Sequence, residues 1–116
     1  MNTHQLVGAA LDWAVAKAEG YLDMGVAYIR NGVVDVFYFD NYSPSTDWAK
    51  AGLIIERERI NLWCNGTGDW EAKQYGKHVM WASTPLVAAM QCYVSTKLGD
   101  EVEVPKEIES IIKESK

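Results

Sequence analysis

An Asn31-Gly32 pair stands between two runs rich in valine and aromatic residues, "VAYIR" and "VVDVFYF". No other feature of the chain restricts its fold so sharply. Both central positions of a tight type I′ turn need positive φ, which asparagine and glycine tolerate, so the pair predicts a β-hairpin over Val26–Phe39. A hairpin imposes antiparallel pairing. The second arm carries valine or aromatic residues on both faces, which predicts a strand covered on both sides.

Helices flank this hairpin. Apolar residues recur at helical spacing from Leu6 to Ala18, with Val7, Leu11, Ala14 and Ala18 in one stripe and Leu6, Ala10 and Trp13 widening it. Asn2 or Thr3 is the expected cap and Gly20 the expected stop. In "NYSPSTDWAKAGLIIERE" the expected cap is Ser43, with Pro44 at the first helical position, or else Ser45. Asp47 then falls in the first turn, Trp48, Ala51 and Ile55 on the buried face, and Gly52 at a point where the helix is weakened. Three short runs with β character follow, Ile60–Cys64, Asp69–Tyr75 and His78–Ala82, with turn-forming "NGTGD" after the first. Thr84 and Pro85 announce another helix, which Gly99 ends, and "VPKEIESIIKESK" reads as a short amphipathic helix with Ile108, Ile111 and Ile112 on one side.

The order is α-ββ-α-βββ-α with a C-terminal helix, an α+β fold in which helices pack on an antiparallel sheet as a compact sandwich. The expected division is a single α+β domain over 1–104 and the short helix over 105–116. At 116 residues the chain can bury a core without staples.

Several function classes recede on composition. The formal charge of −5 gives no basic surface to track a phosphate backbone, so nucleic acid is not the expected partner. No apolar run approaches the ~20 residues of a membrane span. The N-terminus lacks a basic segment followed by an apolar one, which predicts a cytoplasmic protein without a signal peptide. Cys64 and Cys92 stand apart from each other and from any Cys/His cluster, so both are expected reduced, with no metal and no cofactor. The only histidines, His4 and His78, belong to no local catalytic motif, and neither is assigned a catalytic role.

Three blocks, "MNTHQLVGAALDWAVAKAEG", "YSPSTDWAKAGLIIERE" and "TPLVAAMQCYVSTKLGDEVEVP", resemble the NinX-like family of small proteins from lambdoid phages and enterobacterial prophages. The likeness covers about two thirds of the chain and is weak across Tyr21–Phe39 and Asn65–Val79. Its spacing also looks like the broader group of phage proteins described as helix–sheet–helix sandwiches. The resemblance implies an accessory protein acting in the host cytoplasm, with no assigned reaction and no catalytic residue to carry over. It also implies a Gly-Gly-Pro-like break where this chain has Ala51-Gly52-Leu53, so a continuous helix is easier here.

Five tryptophans and six tyrosines are many for one small core. Trp13 and Trp48 fall on apolar stripes and are expected inside. Trp63, Trp70 and Trp81 lie in strand-like runs, where alternation can turn some outward to meet a partner. The candidate rim consists of Tyr42, Asp47, Trp48, Arg57 and Trp70, next to a helix N-terminus. Asp12 is also notable, as a carboxylate among small residues on the first helix. The leading expectation is a phage accessory protein without catalysis that binds a host or phage protein, or a second copy of itself. The alternative is a small-ligand binder with an aromatic pocket for a nucleotide-like molecule, and an enzyme ranks last.

Overall fold

The computed structural model of the protein describes residues 1–23, 27–30, 33–36, 40–106 and 108. Strands β1 (Ala27–Arg30) and β2 (Val33–Val36) pair antiparallel with Arg30 opposite Val33, so the chain reverses across two residues, as the hairpin reading requires. The turn itself, Asn31-Gly32, lies outside the described residues, as do positions 37–39 of the expected second arm. Val34 and Asp35 point to opposite faces of β2 and both are buried, which agrees with a strand covered on two sides. A short third strand, β3 (Asp40–Asn41), adds to β2 and was not foreseen.

The later runs form a separate antiparallel sheet of β4 (Asn61–Cys64), β5 (Trp70–Lys73) and β6 (Met80–Ala82). The expected α+β fold with antiparallel pairing is therefore present, with its strands divided between two three-stranded sheets. Helix α1 (Gly8–Ala18) packs on β2 and on α3 (Pro85–Leu98), and α3 packs on all three strands of the second sheet. The two helices thus lie between the sheets, and α2 (Trp48–Glu58) rests against α3. This placement explains why α1 and α3 are apolar nearly all round. Seven consecutive residues of α1, Ala10–Ala16, are buried, and α3 is buried from Ala88 to Val94.

The helix ends follow local chemistry. Gly20 adopts φ +82°, Gly20 N–H donates to Lys17 O, and Tyr21 N–H donates to Ala16 O. These two bonds are a Schellman stop, which glycine makes without steric cost. Thr84 Oγ1 accepts from Val87 N–H at 3.3 Å with Pro85 next to it, as the sequence predicts.

Two expected starts are corrected. α1 begins at Gly8, not at Leu6, and Asn2 and Thr3 do not cap it, because residues Thr3–Gln5 form a separate 3₁₀ turn. Val7 is accordingly exposed, although it was placed on the buried stripe. α2 begins at Trp48 with Asp47 as its cap, Oδ1 accepting from Ala49 N–H at 2.9 Å. Residues 43–47 form a turn in which the N–H groups of Thr46 and Asp47 both donate to Ser43 O. The N–H groups that a Ser43 or Ser45 cap would use are engaged elsewhere, Ser45 N–H by the Asp12 carboxylate and those of Thr46 and Asp47 by Ser43 O. α2 runs through Gly52 and Leu53 without a break.

The N-terminal residues act as a strap. Asn2 bridges Glu101 in antiparallel fashion, Thr3 N–H donates to Asp100 O, and Val102 N–H donates to Met1 O. Thr3 Oγ1 donates to Gly99 O at 2.6 Å. Beneath the strap, the buried Gln91 of α3 donates through Nε2 to His4 O and Leu6 O. At the other end of the chain, Ile108 is fully buried, and burying such a side chain stabilises by roughly 1.5–3 kcal/mol. Beyond Lys106 and Ile108 the expected C-terminal helix lies outside the described residues.

Candidate functional site

Helices α1, α2 and α3 run in the same sense. Their first turns meet at a cleft of about 320 Å³ lined by Gly8, Ser45, Thr46, Trp48, Thr84 and Leu86. Their last turns meet at the opposite end, where Arg57 of α2 makes two bonds to Glu19, at 3.1 and 2.8 Å, and one to Glu58 at 2.8 Å. The Tyr93 hydroxyl of α3 accepts from Arg57 Nη2 at 3.1 Å and donates to Glu19 Oε2 at 2.6 Å. Arg57 hydrogen-bonded to Glu58 holds that carboxyl below the usual range, while burial, followed by the bond to Glu19, pushes the Tyr93 hydroxyl up.

The five rim residues read from the sequence are placed as follows. Asp47 and Trp48 adjoin each other at the start of α2, and Trp48 is 56 % exposed on the wall of the 320 Å³ cleft. The expectation that Trp48 is core is overturned. It occupies the first helical position, where its ring projects past the layer that Ala51 and Ile54 bury. Tyr42 is buried and meets Tyr21 edge to face at 5.5 Å between ring centroids. Arg57 stands at the far end of α2 in the cluster just described. Trp70 lies on the inner face of the second sheet, partly buried against the core. The structure joins Asp47 and Trp48 at the cleft and does not bring all five into one rim.

Asp12 is 7 % exposed and holds the 43–47 turn by accepting from Ser45 N–H at 2.9 Å. Burial raises its carboxyl to about 6, against the lowering effect of the Ser45 backbone and hydroxyl bonds. Its role is to fix the turn that precedes α2.

A second arrangement lies on the outer face of the second sheet. Glu71 of β5 is register partner to Trp63 on one side and Trp81 on the other, and cross-strand partners share a face. Trp63 is 38 % exposed and Trp81 63 % exposed. Strand alternation turns Leu62, Ala72 and Met80 inward onto α3, which leaves these two indoles outside.

A third feature is a cleft of about 410 Å³ between the N-terminal strap, β6 and the end of α3, lined by Thr3, His4, His78, Trp81, Ser95 and Asp100 among others. It gathers both histidines of the chain. Nothing local in the sequence announces it, since positions 4, 78 and 95–100 are distant in the chain and meet only once the strap and β6 pack on α3. Among the described residues, no group of three metal-binding side chains gathers anywhere.

A family model described as Bacteriophage P22, NinX matches residues 2–97, which includes the segments where the sequence likeness is weakest. Among curated proteins no match is found.

Proposed function

The chain belongs to the phage NinX family, and from that premise we propose that it is an accessory protein without catalysis of its own that binds a host or phage protein. The observation that carries this reading is the Trp63–Glu71–Trp81 row. Two indoles flanking one carboxylate on an open sheet face combine large apolar contact with a polar centre, the pattern of a recognition patch. The occupant favoured by this chemistry is a protein surface with an exposed Lys or Arg between apolar side chains.

The test compares the wild-type protein with a Trp63→Ser/Trp81→Ser double variant, both checked for fold by circular dichroism. Light scattering reports self-association, and crosslinked capture from infected-cell lysate, with identification of the captured protein, reports a partner. A defined partner or a second copy held by the wild type and lost in the double variant supports the reading. A strict monomer whose captured proteins match those of the double variant ends it.

A second reading, the binding of a small nucleotide-like ligand, is favoured by the two clefts, each walled by an exposed indole. Nucleotides that raise the melting temperature of the wild type support it, and a panel without effect removes it.

A further inference from the structure

We propose that the cleft between the N-terminal strap and β6 is a binding site for an uncharged heteroaromatic ring, a purine base or its nucleoside. The proposal rests on the small-ligand reading and states where the ligand sits and what recognises it. At about 410 Å³ the cleft falls within the usual size of small-molecule sites. Its walls mix donors and acceptors. The ring nitrogens of His4 and His78 and the Ser95 hydroxyl supply hydrogen-bonding groups, and the Asp100 carboxylate accepts. Such a set suits the edge of a purine, which also presents both. Trp81, exposed on the edge strand β6, borders the cleft, where its indole offers a surface on which a base stacks.

Charge decides between a base and a phosphate. No lysine or arginine is among the lining residues described, and Asp100 places a carboxylate in the cleft. The chain as a whole carries a net −5. A phosphate would meet the Asp100 carboxylate with no lysine or arginine in the lining to offset it, so the free base or nucleoside is favoured over a nucleotide or a nucleic-acid strand. The site is also held in shape before any ligand arrives. Gln91 fixes the His4 carbonyl from below, Thr3 ties the strap to Gly99 and Asp100, and β6 is anchored by its ladder to β5. A pre-formed wall spares the ligand the ordering cost that a loose loop would impose.

The test is a titration of the full chain with adenosine, guanosine, their 5′-monophosphates and a short single-stranded oligonucleotide, read by tryptophan fluorescence and thermal shift. The wild type is compared with His78→Ala, Trp81→Ala and Trp48→Ala, all exposed positions whose folding is checked in parallel. The expected result is saturable binding of a purine nucleoside, weakened about tenfold or more by Trp81→Ala and by His78→Ala and unchanged by Trp48→Ala. Tighter binding of the monophosphate or the oligonucleotide overturns the proposal, as does binding that survives Trp81→Ala and His78→Ala. If nucleotides bind and only Trp48→Ala abolishes it, the small-ligand reading stands and this site falls. If nothing in the panel binds, both fall.

Discussion

Asp12 shows how one side chain can set a pH response. Its carboxyl titrates near 3.8 when ordinary and near 6 in the folded protein, so the folded state holds the proton more tightly. The stability this confers is full below about 3.8 and is lost as pH rises through about 6. Above that the ionised form costs up to about 3 kcal/mol, at 1.36 kcal/mol per pH unit. Asp12→Asn keeps an oxygen to accept from Ser45 N–H and removes the charge. The variant is expected to be more stable than the wild type at pH 7.5 and equal to it near pH 4, by urea unfolding across that range. A gap that stays constant on acidification would show that Asp12 bears no such cost. The sequence placed Asp12 on an otherwise apolar face and so marked it as unusual. It did not identify Ser45, 33 residues away, as the partner, because that contact exists only once α1 and the 43–47 turn have packed.

At the scale of elements, α2 shows both what is legible and what is not. The amphipathic pattern located it, and Ala51 faces inward as expected, while Ile54 is buried in place of Ile55, which is only partly so. Its start was misplaced because Ser43, Ser45 and Asp47 are all acceptable caps, and the choice among them depends on the packed 43–47 turn and its contact with Asp12. The hairpins, the Gly20 stop and the Thr84-Pro85 start were legible because each rests on backbone chemistry within a few residues. The clefts and the Arg57 cluster were not, because they join segments distant in the chain. Gly52 lies in the helix interior, and a methyl group added there meets nothing within 4 Å. Gly52→Ala is expected to stabilise by about 0.5–1 kcal/mol in thermal or denaturant unfolding. Arg57→Ala removes charge-assisted bonds to Glu19 and Glu58 and the bond to Tyr93, and it leaves the Glu19–Tyr93 pair in place. With Arg57 itself half exposed, a loss of about 1–2 kcal/mol is expected. Tyr93→Phe in the same background is expected to be non-additive with it, which a double-mutant cycle measures.

At the scale of the molecule, the two sheets enclose α1 and α3, and the strap closes the chain from residues 1–3 onto 99–102. Thr3 is the centre of that closure. Thr3→Val preserves shape while taking the donor away from Gly99 O, and a loss of about 1–3 kcal/mol is expected in the denaturant midpoint. Amide exchange at Thr3 and Val102 should quicken together, since both bonds belong to the same closure. If only the Thr3 amide responds, the strap is not one cooperative unit.

The common direction of the three helices has an electrical consequence. In bundles that run up and down, neighbouring peptide dipoles cancel. Here they add, with about half an elementary charge of each sign per helix, over a distance of roughly 16 Å for eleven residues. Lys17, Arg57 and Lys97 sit in the three last turns and temper the negative pole. At the other end the positive poles of α1, α2 and α3 converge on the 320 Å³ cleft, so negative charge is favoured there at low ionic strength.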